Sequence, residues 1–219
     1  MAEEANKIWN MWTDEEKNLV MQGKGIDIGC GTSPIRPDCK RFDMEDGDAN
    51  HITEYVKDSF DYVFSSHCLE HMIDPPSVLR EWWSLVKPGG VMIIFVPDED
   101  LYEQGLWPSQ FNPDHKWTFT ISKRKSWSEK SLNLLDLAQS LPDVSSFHIE
   151  LQDEGYKRSC TCFRRLSFFR RCFRSFKYRV LDHLPFRESA LYEFYSHFFP
   201  VDQTKGDALA QIQLILHKK

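Results

Sequence analysis

Ten residues near the start of the chain, Gly25-Ile26-Asp27-Ile28-Gly29-Cys30-Gly31-Thr32-Ser33-Pro34, restrict its fold more than any other stretch. Ile26 and Ile28 read as a short buried strand, and Gly29 and Gly31 let the following backbone turn sharply and come close to a ligand. A dinucleotide site would need a third glycine opening a long helix onto a pyrophosphate. Pro34 holds that position, and Asp27 sits badly beside a diphosphate. An acid at the strand end suits a ligand carrying positive charge. The stretch therefore favours a cationic, phosphate-free nucleoside, a description that S-adenosylmethionine (SAM) meets.

At 219 residues, 41% hydrophobic and 27% charged, the chain can hold one good-sized core with or without an appendage. It shows no N-terminal apolar run with a cleavage site and no apolar run of about 18 residues, so a cytoplasmic location is expected. The six cysteines (Cys30, Cys39, Cys68, Cys160, Cys162, Cys172) make no CxxC pair and no zinc spacing with histidine. Reduced thiols and no metal are the expectation. The net charge of -6 conceals an asymmetry: between Lys157 and Val180 lie nine Lys/Arg residues and no acid, leaving 18 basic against 33 acidic residues elsewhere. Such a body is a poor partner for nucleic acid.

Residues 1–22 read as an N-terminal helical arm, with Thr13 and Glu16 spaced as a capping box. The arm either packs over the first strand or covers a pocket with Trp9 or Trp12. After the glycine turn, Pro34 and Pro37 leave little room for a helix before a second strand, Lys40-Arg41-Phe42-Asp43. Asp43 stands where a carboxylate can accept from two ribose hydroxyls. Asp46 reads as a solvated turn acid. Asp48 can accept from an adenine amino group, with Ala49 leaving room for the ring. Ser59–His67 reads as a buried parallel strand, placing Ser66 and His67 at the ligand edge. A helix is expected from Cys68 through Val86, ended by Lys87-Pro88-Gly89-Gly90, and then a central strand Val91–Val96.

Three blocks in this order, Asp27-x-Gly29-x-Gly31, Phe60-Asp61-x-Val63-x-Ser65-Ser66-His67-x-Leu69-Glu70-His71 and Leu85-Val86-Lys87-Pro88-Gly89-Gly90, resemble a class I, Rossmann-like, SAM-dependent methyltransferase. The resemblance covers roughly residues 24–121. It implies a doubly wound, mostly parallel seven-stranded α/β sheet whose last strand runs antiparallel. It also implies SAM at Gly29 and Gly31, ribose on Asp43 and adenine on Asp48. With Asp27, Cys30, Ala49, Ser66 and His67 these make up the expected cofactor site. The chain departs from the pattern in its clipped first helix and in the 16 residues between Asp43 and Phe60, too few for a full helix and strand.

Residues 101–128 form a long segment at the ligand edge with six Phe/Tyr/Trp residues, which argues for order. His115 is the candidate general base, oriented by Asp114 or Glu99, or else a histidine fixed for structure; His67 and His71 are its competitors. A helix over 128–141, a strand over 146–152 and a closing strand over 208–216 complete the expected domain, 23–219. Within it lies a basic helical insertion, 153–205. Phe163, Leu166, Phe169, Phe173, Phe176 and Val180 recur at helical spacing among its arginines. Such a helix can cap its own body, lie on an anionic membrane at the inner face, or bind an acidic partner. The expected reaction is O-methylation of a small-molecule or glycan acceptor, including a lipid-linked one. A nucleic-acid or protein acceptor, or SAM binding without catalysis, are the alternatives.

Overall fold

A computed structural model describes residues 2–158, 200–206 and 208–219. Two N-terminal helices, α1 (Ala2–Met11) and α2 (Asp14–Met21), lead into β1 (Gly25–Ile28) and β2 (Lys40–Phe42). Then come α3 (Ile52–Tyr55), β3 (Phe60–Ser66), α4 (Pro75–Ser84) and β4 (Val86–Pro97). The rest is β5 (Thr118–Thr120), β6 (Ser131–Asn133), α5 (Leu134–Ser140), β7 (Val144–Gln152) and β8 (Gln211–Lys218). The main sheet runs β2-β1-β3-β4-β8-β7, with β8 antiparallel to both neighbours and the other pairs parallel. β5 and β6 pair separately, in parallel.

Alternation along the central strands explains why both faces are covered. Val63, Met92, Ile94, Val96, Leu214 and Leu216 pack with α4 and α5 in the larger core. Tyr62, Phe64, Ile93, Phe95 and Ile215 point the other way, onto the arm residues Ile8, Trp12 and Val20. Trp12 lies edge-on to Phe64 at 5.8 Å, and Thr13 and Glu16 form the reciprocal cap of α2. The arm is thus a packing element, and Trp12 belongs to the core rather than to a pocket. Trp82 and Trp83 are core as well; their indole N–H groups donate to the carbonyls of Ala49 (2.9 Å) and Pro142 (2.8 Å).

Several expectations are corrected. The main sheet has six strands among the described residues, because the short link between Asp43 and Phe60 supplies only a 3-10 turn (Ala49–His51) and α3. The expected 68–86 helix is a 3-10 turn, Leu69–His71, separated from α4, whose first residues are Pro75 and Pro76. Lys87–Gly90 is a bulge inside β4, where pairing jumps from Phe60↔Val86 to Tyr62↔Val91. The expected 128–141 helix divides into β6 and α5. The closing strand expected over 208–216 is β8, which starts at Gln211, runs to Lys218 and is buried on both faces over its first six residues. The expected helix of the insertion falls on residues 159–199, outside the described residues.

Candidate active site

The glycine turn after β1 is built as its sequence requires. Gly29 has φ +80° and Gly31 φ +57°, conformations that cost other residues strain. A Cβ on Gly29 would stand 2.6 Å from Cys68 Cβ and Sγ. Gly29 N–H donates to the Phe42 carbonyl at 2.8 Å, and Gly31 N–H to Asp43 Oδ2 at 2.6 Å. Asp43 Oδ1 accepts from Met44 N–H at 2.8 Å, so this half-buried carboxylate both fixes the turn and keeps lone pairs toward the adjoining cavity. That cavity, about 860 Å³, is lined by Gly29, Asp43, Met44, Asp48, Ala49 and Cys68 among others. Asp48 accepts from the Asn50 backbone N–H and side-chain amide, which hold its carboxyl below the usual range.

Other residues expected to hold the cofactor sit behind this wall. Asp27 is buried, its Oδ2 accepting from Ile35 N–H at 2.7 Å, and burial followed by the nearby Asp43 charge raises its pKa to about 7. It ties down the loop that Pro34 and Pro37 stiffen. Cys30, Gly31 and Ser66 do not line the cavity either; burial pushes the Cys30 thiol up, and Ser66 Oγ is buried without a hydrogen bond.

A second, smaller cavity of about 160 Å³ adjoins the first, with His71 lining both. His67, Glu70, Tyr102, His115 and Gln211 also line it. His115 Nδ1 is 2.7 Å from Glu103 Oε1, both groups being buried, and its Nε2 is 3.9 Å from Glu70 Oε1. His71 contacts the His115 ring edge-on at 5.0 Å, and its Nδ1 lies 3.1 Å from the Asp114 carbonyl. Glu70 is fully buried, and neither of its carboxylate oxygens has a hydrogen bond. Burial pushes its pKa up, but His67, His115 and His71 around it outweigh that and hold it below the ordinary value.

His67, at φ +52°, is oriented by a relay that starts on the arm. The Trp12 indole N–H can only donate, and it donates to Gln213 Oε1 at 2.9 Å. The same oxygen accepts from Gln152 Nε2, and Gln152 Oε1 accepts from Gln211 Nε2. Gln211 Oε1 therefore faces His67 Nε2, 2.8 Å away, as an acceptor. With Nε2 on Gln211 Oε1, His67 turns Nδ1 toward Glu70 Oε1, at 3.5 Å.

The profile of a family described as a methyltransferase domain matches residues 14–135, more than half of the chain. The chain belongs to this methyltransferase family. It is accordingly an enzyme, and SAM is its methyl donor. Its fold is similar to that of a SAM-dependent methyltransferase from Archaeoglobus fulgidus: 15% identity over 100% of this chain and 95% of that one, TM-score 0.50. A SAM-dependent methyltransferase from Thermotoga maritima is 15% identical over 99% of this chain and 88% of that one, TM-score 0.47. Haemonchus contortus phosphoethanolamine N-methyltransferase 2, solved with SAM, is 15% identical over 93% of this chain and 51% of that one, TM-score 0.49. No curated protein matches the sequence.

Of the residues singled out in this methyltransferase, Gly29, Asp43, Asp48 and Ala49 share the larger cavity, and His67 and His115 share the smaller. The partner expected for His115, Asp114 or Glu99, is instead Glu103. Glu99 is taken up by Lys123, Ser126, Ser131 and Thr118, which hold β5 and β6 to the end of β4. Glu70, Tyr102 and Gln211 are cavity residues that sequence reasoning did not assign, and His71 enters it only as a competitor base. The His67-x-Leu69-Glu70-His71 stretch offered a signal for Glu70, since an acid flanked by histidines is rarely inert.

Proposed function

We propose that this methyltransferase O-methylates a small hydroxyl-bearing acceptor, free or as part of a glycan, lipid-linked glycans included. The carrying observation is the small histidine–carboxylate cavity that meets the larger cavity at His71. The larger cavity fits the donor: Gly29 brings bare backbone to its wall, Asp43 there can accept from a ribose, and Asp48 and Ala49 stand beside an adenine's room. Bound there, SAM supplies an electrophilic methyl on a sulfonium.

The residues of the second cavity do the rest. They hold the acceptor oxygen in line with the methyl carbon, which supplies most of the acceleration. As the oxygen–carbon bond forms and the carbon–sulfur bond breaks, the hydroxyl proton is taken up within the histidine–carboxylate cluster. His115 is its best-placed acceptor, because Glu103 fixes its Nδ1 and balances the charge it gains. Tyr102, 5.3 Å from the His115 ring and tilted by 32°, keeps that ring in place.

The test is His115→Ala, measured by SAM calorimetry and by S-adenosylhomocysteine release over a library of hydroxyl acceptors. SAM affinity should hold, while turnover on the responsive acceptor falls by about 10²–10⁴-fold. A fall of less than about fivefold would leave His115 with a structural role only and remove the support for this reading.

A further inference from the structure

We propose that Glu70, His71 and His115 form a binding site for one divalent transition-metal ion at the floor of the acceptor cavity. One donor atom from each lies within 4.8 Å of the others. Donors about 2.1 Å from a shared metal stand roughly 3–3.5 Å apart, so small side-chain rotations close the site. Two histidines and one carboxylate, with the remaining positions opening to a cavity, suit Zn²⁺, Mn²⁺ or Fe²⁺.

Three observations carry the assignment beyond proximity. Glu70 is fully buried, and histidines face its Oε1, His67 Nδ1 at 3.5 Å and His115 Nε2 at 3.9 Å, so a buried carboxylate and imidazole nitrogens converge on one point. Both histidines have the outer contact that orients a metal ligand: His115 Nδ1 on Glu103 Oε1, and His71 Nδ1 on the Asp114 carbonyl. With those protons committed, their Nε2 lone pairs are the donors left to the cluster. The relay from Trp12 fixes the His67 ring with Nδ1 3.5 Å from the same carboxylate, at the margin of the cluster.

The inference rests on the acceptor reading for its role and on nothing there for its existence. An ion bound here takes the acceptor oxygen as a further ligand and lowers its pKa. His115 is the proton acceptor in the metal-free chain; with the ion bound it is a ligand, and the proton passes to solvent.

The experiment uses the full chain, stripped with chelator and titrated calorimetrically with Zn²⁺ and with Mn²⁺, without SAM or acceptor. One ion should bind per chain with a Kd below about 10 µM. Glu70→Gln should weaken binding at least 100-fold, and Glu103→Gln by about 10–100-fold, the range for an outer-shell partner. His71→Gln, at a half-exposed position, serves if Glu70→Gln does not fold, and Co²⁺ absorption reports the same losses. Absence of saturable binding, or equal binding in wild type and these variants, overturns the site; its charge would then be held by protons on the histidines. Because no donor or acceptor is present, that failure leaves the methyl-transfer reading intact. Loss of turnover in His115→Ala with no metal bound to wild type would separate the two.

Discussion

Asp27 shows how one residue can look functional in sequence and carry a different load in the fold. Its place before the glycine turn was legible, as was its contrast with a phosphate site. What could not be read was that Pro34 and Pro37 bend the chain back so that Ile35 N–H caps it. Burial then raises its pKa from 3.8 to about 7. The folded state consequently holds a proton that the unfolded chain releases near pH 4. Asp27's contribution is therefore full below that pH and is lost as pH rises through about 7. At about 1.36 kcal/mol per pH unit, wild type should lose roughly 2–3 kcal/mol through this group between pH 5 and 8. Asp27→Asn should be spared that loss. Urea unfolding of both proteins at the two pH values checks it; parallel losses would show that Asp27 is already ionised at pH 5.

At the scale of elements, the β1–β2 connection carries the donor cavity, and its sequence was the most readable part of the chain. Strand, glycine turn and acid all follow from local rules, and the structure adds the cross-links among them. Gly29 faces Cys68, from the segment after β3, and Asp43 holds Gly31. Such long-range contacts leave no periodic trace. For the same reason Glu103 was missed as the partner of His115, 12 residues on, while the nearer Asp114 looked adequate. Gly29→Ala should shift the turn, because its Cβ would meet Cys68 at 2.6 Å in a backbone conformation unfavourable to alanine. With strain of about 1–3 kcal/mol relieved only by moving the turn, SAM affinity should fall about 10–100-fold. Calorimetry giving unchanged SAM affinity for a folded variant would detach the turn from the donor.

The whole molecule is divided by charge along its sequence. Nine basic residues without an acid lie between Lys157 and Val180, against an acidic remainder. The described flanks of the insertion are joined: Lys157 N–H donates to Gln203 Oε1 at 2.9 Å, Gln203 Nε2 to the Lys157 carbonyl at 3.1 Å, and Leu209 N–H to the Glu154 carbonyl at 2.9 Å. Thr204 and Ala208–Gln211 of the returning flank line the cavity proposed for the acceptor. No helix among the described residues is long and apolar enough to cross a membrane. We propose that the segment 157–181 holds the enzyme on an anionic membrane surface, such as an inner membrane face, where a lipid-linked acceptor would be presented. Each Lys or Arg near such a surface contributes about 1 kcal/mol, a contribution that salt screens. The full chain should float with vesicles containing acidic lipid at low salt and be released at high salt. Reversing Arg170, Arg171 and Arg174 to Glu should cut the bound fraction more than about 100-fold in partition coefficient, six units of charge being removed from the attraction. Equal recovery with neutral and acidic vesicles would mean instead that the basic segment serves the enzyme's own acidic body.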